Sequence, residues 1–146
     1  MGELDSETGS DFVLTDAIKV ELLTQARLAM GNAYCPYSNF PVGAAVLTAD
    51  GRIFLGCNVE NASYGLTVCA ERTAIFSAVA NGGIGIAAVA VVTITEPPSR
   101  PCGACRQVIA EFSREDNPTI VISAGKSGGA VIETIKELLP KTFALI

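Results

Sequence analysis

Three thiols and one carboxylate stand in a pattern that suits metal-assisted hydrolysis: Cys69-Ala70-Glu71, then Pro101-Cys102-Gly103-Ala104-Cys105. Three thiolates can hold Zn²⁺ and leave the fourth tetrahedral position open for water, the arrangement of a catalytic rather than a structural zinc. A carboxylate two residues past the first thiol can take and return protons without being a ligand. The chain contains no histidine. Imidazole schemes for general-base catalysis, nucleophile activation and metal binding are therefore excluded together. Two further cysteines, Cys35 and Cys57, lie at loop or strand ends with no close CxxC partner and read as free, buried thiols. A fourth thiolate from either would instead close the site and make it structural.

These residues need elements to position them. Ile18, Leu22, Ala26 and Ala29 recur at helical spacing and predict a helix from Thr15 to about Ala33, with Thr15 as N-cap. The run Cys35-Pro36-Tyr37-Ser38-Asn39-Phe40-Pro41 breaks that pattern as a loop bracketed by prolines. Val42 to Thr48 and Arg52 to Val59 read as two strands joined by an Asp50-Gly51 hairpin turn. After a loop from Asn61 to Val68, a second helix starts near Cys69 and stops at Asn81-Gly82-Gly83. The β-branched run within Ile84 to Thr95 predicts a central strand. The proline-rich loop Glu96 to Pro101 leads into a helix from about Gly103 to Ser113. Thr119–Ser123 and Ala130–Thr134 read as strands, and Ile135–Leu139 as a short helix stopped by Pro140. The order α-β-β-α-β-α-β-β-α predicts an α/β fold: a three-layer α/β/α sandwich around a mixed five-stranded sheet.

On this map Cys69 opens one helix, and Cys102 with Cys105 opens another. A thiolate at a helix N-terminus gains from free N–H groups and the positive end of the macrodipole. Zinc with three thiolates carries one net negative charge, which weakens it as a Lewis acid, and two such helix ends offset part of that charge. Arg72, within one turn of Cys69, is placed to hydrogen-bond a ligating sulfur and offset more.

The 146 residues suit one domain, expected over 13–146 behind a disordered tail at 1–12. Met1-Gly2-Glu3-Leu4-Asp5-Ser6 formally fits an N-myristoylation pattern, yet no polybasic patch lies nearby to supply a second anchor. No apolar run approaches the roughly 20 residues that span a bilayer. The net charge of −5 repels phosphate backbones, so a polynucleotide partner is not expected. Five cysteines, an odd count, with no secretory h-region, argue for a reducing cytoplasmic setting.

With these residues assembled, the chain resembles the small homotetrameric cytidine deaminases of nucleoside salvage, from about Thr15 to Phe143. The motifs that carry the resemblance are Pro36 to Ala45, Gly56 to Ser63, Cys69-Ala70-Glu71-Arg72-Thr73-Ala74, Pro101 to Gln107 and Glu137-Leu138-Leu139-Pro140. The pattern is that of zinc nucleobase deaminases of the three-cysteine kind, with a non-ligand glutamate. The resemblance implies one Zn²⁺ per subunit on Cys69, Cys102 and Cys105, with Glu71 as proton shuttle and Arg72 bonded to a ligating sulfur. It implies that Phe40 packs on the pyrimidine, that Asn58 and Glu60 bind the ribose hydroxyls, and that the Ala70 N–H serves the base carbonyl. Phe143 would be a C-terminal aromatic that closes the site, often that of a neighbouring subunit, and Tyr64 would reach a neighbour's pocket, with active sites at the interfaces of a homotetramer. The implied reaction is hydrolytic deamination of cytidine and 2′-deoxycytidine, zinc-activated water adding at C4. Two rivals are a deaminase of nucleoside antibiotics and a zinc-stabilised binding module without catalysis. The second of these requires a fourth ligand.

Overall fold

The computed structural model describes residues 11–145. The expected tail falls outside the described residues except for Asp11 and Phe12, and so does the Gly2 pattern. Phe12 packs against the core beneath the first helix.

Helix α1 spans Asp16–Met30 and begins as its cap predicts, the Thr15 side chain accepting from the Ile18 N–H at 3.2 Å. Its buried face is Leu22, Leu23, Ala26 and Ala29. It ends short of Ala33 because the chain is drawn away: Tyr34 N–H donates to the Asn58 carbonyl at 3.0 Å, and Glu60 N–H to the Tyr34 carbonyl at 2.8 Å. A pairing with residues distant in sequence, Tyr34 with Asn58–Glu60, thus overrides the local helical pattern.

The strands are β1 (Gly43–Thr48), β2 (Ile53–Cys57), β3 (Ile86–Val92), β4 (Ile120–Ala124) and β5 (Ala130–Thr134). They form one five-stranded sheet in the order β2-β1-β3-β4-β5. Only β3 and β4 pair in parallel; the other neighbours are antiparallel. Gly51, at φ +88°, turns the β1–β2 hairpin, a conformation that favours glycine. The remaining helices are α2 (Ala70–Ala80), α3 (Gly103–Glu111) and α4 (Ile135–Leu138), with a 3₁₀ turn at Tyr64–Leu66 inside the expected loop. Thr134 and Glu137 form a capping box at the start of α4.

Strand alternation sorts the central residues into two cores. Ala45, Leu47, Ala88, Ala90, Val92 and Ile122 pack with α1 on one face. Ala44, Val46, Val89 and Val121 pack with α2, α3 and α4 on the other. Ile86 would share the α1 face with Ala88, but it joins the opposite core. A register shift between Leu47 and Thr48 leaves Ala87 as the extra residue of a bulge, which reverses the facing of everything before it. The fold is therefore the expected mixed sheet with helices on both sides. α1 lies very close to β1, since a Cβ on Gly43 would sit 1.9 Å from the Ala26 carbonyl oxygen. Among the described residues no helix is long and apolar enough to cross a membrane.

Candidate active site

Cys69 is the N-cap of α2 and Cys102 the N-cap of α3; Cys105 follows in the first turn of α3. Neither N-cap side chain accepts a capping bond from the backbone N–H groups of its own helix. The first intrahelical bonds are Thr73 N–H to the Cys69 carbonyl and Arg106 N–H to the Cys102 carbonyl. The N–H groups ahead of them, at Ala70, Glu71, Gly103 and Ala104, belong to the helix ends that lack intrahelical acceptors. Two positive helix ends thus converge on the thiols.

The three sulfurs lie within 4.8 Å of one another, and Cys69 Sγ and Cys102 Sγ are 3.8 Å apart. Zn–S bonds of about 2.3 Å in a tetrahedron set sulfurs roughly 3.8 Å apart, so the donor set fits zinc in both chemistry and spacing. Among the described residues no other cysteine, aspartate or glutamate joins the cluster. Cys35 and Cys57 are outside it, and both are half-buried rather than buried, Cys57 Sγ donating to the Asn32 carbonyl at 3.5 Å. With three thiols and no fourth ligand, a tetrahedral metal keeps one position for water.

Arg72 is half-buried beside the thiols. Its Nη2 donates to Cys69 Sγ at 3.3 Å, the charge-assisted contact expected of it. A hydrogen bond from Cys105, reinforced by Arg72, pulls the Cys69 thiol down to about 5 against the opposing effect of burial. The contact with Cys69, together with burial, pushes the Cys105 thiol up. Glu71 is 4% exposed, and burial pushes its pKa above the usual carboxylate range. A carboxyl so placed, beside the metal-ligating thiols, is suited to giving and taking a proton.

These groups open on a cavity of about 370 Å³, within the range of small-ligand sites. Cys69, Ala70, Glu71 and Cys102 form one end, and Phe40, Asn58 and Glu60 another wall. Asn58 and Glu60 do share one side, as expected, but they are also tied to the Tyr37–Val42 loop. Asn58 Oδ1 accepts from Val42 N–H at 2.9 Å, and Nδ2 donates to the Phe40 carbonyl at 2.8 Å. Glu60 Oε1 accepts from the Tyr37 and Ser38 N–H groups at 3.0 and 3.1 Å, and Oε2 from the Ser38 hydroxyl. The Ser38 hydroxyl and these N–H groups hold the Glu60 carboxyl below its usual range. The Phe40 backbone is thereby tied to Asn58 directly and to Glu60 through the Ser38 hydroxyl.

Tyr64 and Phe143 do not line this cavity; they are 78% and 70% exposed on the same chain. Several wall residues escaped the sequence reading: Ser38, Thr93, Ser99 and Arg100. Thr93, Thr95 and Ser99 form a chain of hydroxyl contacts at 2.9 and 2.7 Å. Arg100 is held by Glu133 of β5 at 2.7 Å. The Glu96–Pro101 proline run marks a loop ahead of the cysteines, and that position was the available signal; the hydroxyls carry none of their own. A larger cavity, about 670 Å³, lies between the start of α1 and the β1–β2 hairpin, away from these reactive groups.

Three thiols at two helix ends, a buried carboxyl beside them and a fourth metal position left open define a zinc-dependent hydrolytic centre. The family described as cytidine and deoxycytidylate deaminase zinc-binding region matches residues 17–121. A cytidine deaminase of Sporosarcina psychrophila is 48% identical over 124 residues, 85% of this chain and 90% of the relative. One of Halalkalibacterium halodurans is 50% identical over 123 residues, covering 84% and 91%. The crystal structure of cytidine deaminase from Burkholderia pseudomallei superposes with a TM-score of 0.81 at 48% identity, covering 89% of this chain and all of that one (100%). The chain belongs to the cytidine and deoxycytidylate deaminase family, as an enzyme whose cofactor is zinc.

Proposed function

We propose that this protein deaminates cytidine and 2′-deoxycytidine hydrolytically, yielding the uracil nucleoside and ammonia, in pyrimidine salvage. The observation that carries the reading is the three-sulfur cluster beside the buried Glu71, at the end of a cavity walled by Phe40, Asn58 and Glu60. Cys69, Cys102 and Cys105 hold the metal. Zinc bound there lowers the pKa of a coordinated water so that it is nucleophilic near neutral pH. Glu71 takes one proton of the attacking water and delivers it to N3 as the C4–O bond forms; it then takes the remaining proton of that oxygen and passes it to the exocyclic amine, so that the C4–N bond breaks and ammonia leaves. Arg72 and the two helix ends offset the excess negative charge of the thiolates.

Phe40 presents an apolar face to the pyrimidine, and the Ala70 N–H at the head of α2 suits the base carbonyl. Asn58 keeps one amide proton, and Glu60 keeps acceptor capacity, for the sugar hydroxyls. These contacts are remote from C4 and orient the reacting carbon. The exposure of Tyr64 and Phe143 supports a homotetramer in which each serves a neighbour's cavity. Free thiols suit a cytoplasmic setting.

The test is to follow ultraviolet absorbance while zinc-loaded protein is mixed with cytidine. Loss of the cytosine band, abolished by Glu71→Gln, is expected. No change in a folded, zinc-loaded sample overturns the cytidine reading.

A further inference from the structure

Asn58 belongs to an edge strand and its exit, whereas Glu71 and Cys69 belong to α2. A nucleoside spanning both requires that strand and helix keep a fixed spacing. Two residues outside the proposed chemistry lie at that strand–helix contact. Gly56 of β2 lies directly on the first turns of α2: a Cβ there would be 2.4 Å from both the Ala70 carbonyl oxygen and the Ala74 nitrogen. Both are helix backbone atoms, which cannot rotate aside. The Thr73 hydroxyl sits in the same contact, 2.8 Å from the Cys57 carbonyl oxygen and 2.9 Å from that of Ala70. The bond to Ala70 is local and common for threonine in a helix. The bond to Cys57 crosses to the residue directly before Asn58. From there the Asn58 amide continues to the Phe40 carbonyl and the Val42 N–H. A contiguous chain of bonds therefore runs from the head of the metal-bearing helix, through Thr73, to the wall that holds sugar and base.

We propose that Thr73 is a positioning residue: its hydroxyl, seated against Gly56, sets the distance between the nucleoside-holding wall and the metal end of the cavity. It touches neither substrate nor metal and acts through Asn58. The inference rests on the deaminase reading given above. Because a small misplacement of the reacting carbon costs rate steeply, removal of the hydroxyl at constant shape should lower kcat/KM for cytidine while zinc stays bound.

The experiment is a double-mutant cycle on the full-length, zinc-loaded enzyme with cytidine, using Thr73→Val, Asn58→Ala and the pair, plus Thr73→Ser alone. Thr73→Val is expected to lower kcat/KM about tenfold in the wild-type background and less than about twofold in the Asn58→Ala background. Thr73→Ser should restore the wild-type value, and zinc content should stay equal throughout. Equal losses in both backgrounds, or loss of zinc from Thr73→Val, overturn the proposal, because Thr73 then acts on α2 alone. No loss in Thr73→Val overturns it as well. If Asn58→Ala does not fold, Thr73→Ser decides: a serine variant as impaired as the valine variant shows that the hydroxyl is not the agent. Absence of cytidine turnover in the wild type sinks the deaminase reading itself, a result distinct from turnover with equal losses, which sinks only the positioning role of Thr73.

Discussion

Glu71 is the residue on which turnover should depend most. Glutamine keeps its shape and removes its proton chemistry, so Glu71→Gln should retain metal and fold. Turnover should fall at least about hundredfold, the lower end of what a positioned acid–base contributes. Zinc analysis alongside the absorbance assay checks both parts; a variant still turning over within tenfold of wild type would remove Glu71 from the mechanism. Glu60 offers a pH test. Its pKa is lowered, chiefly by the Ser38 hydroxyl. For a depressed carboxylate, the bonds to the Tyr37–Val42 loop are fully present above the unfolded pKa and are lost as pH falls through the lower folded value. Ser38→Ala should bring the Glu60 pKa up toward its ordinary range, so that the rise of KM on acidification begins at a higher pH than in wild type. NMR titration of the Glu60 carboxyl and KM against pH measure it; unchanged profiles would show that Ser38 does not tune the Glu60 carboxylate.

At the scale of elements, stability and function should separate according to where a change falls. Thr15→Ala removes the α1 cap, far from the cavity, and should cost about 1 kcal/mol in denaturant unfolding with kcat/KM intact. Gly56→Ala forces β2 off α2, because its Cβ would meet helix backbone at 2.4 Å. It should cost about 1–3 kcal/mol as an overpacking substitution and, unlike Thr15→Ala, should also impair kcat/KM. Equal stability loss with undisturbed kinetics in both variants would mean that β2–α2 spacing is unimportant to the site. Each of the metal-bearing helices is entered through a cysteine N-cap that leaves its N–H groups to the site. One local arrangement therefore serves both metal placement and charge compensation.

At the scale of the whole molecule, this chain leaves large apolar side chains uncovered: Tyr64, Leu66, Phe76 and Phe143 are all at least half exposed. Such surface is typical of proteins that associate. If Phe143 completes a neighbour's cavity, Glu71→Gln chains mixed with Phe143→Ala chains should form hybrid assemblies. In these, an intact Phe143 from the first reaches an intact Glu71 in the second. Activity per Glu71-bearing chain should then exceed that of Phe143→Ala alone, and sedimentation should show a four-chain species. Mixtures no more active than the Phe143→Ala protein, at a tetrameric mass, would place Phe143 in the service of its own subunit.

The sequence by itself determined the metal-binding thiol set and the order of elements. Cysteine spacing, the glutamate two residues past the first thiol and the absence of histidine all act over a few residues, where composition and periodicity are informative. The α-β-β-α-β-α-β-β-α order likewise follows from local patterns, and β5 falls on its expected residues, Ala130–Thr134. What only the tertiary structure decided depends on contacts between distant residues. Glu60 meets Ser38 across 22 positions, Asn58 meets Phe40 across 18, and Thr73 meets Cys57 across 16. The early end of α1 and the reversed facing of Ile86 arise in the same way, from a bridge to Val59 and from a bulge against β1. Serine and threonine hydroxyls bond whatever backbone the fold brings within reach. Their roles in the cavity wall therefore appear only once strand, loop and helix are packed together.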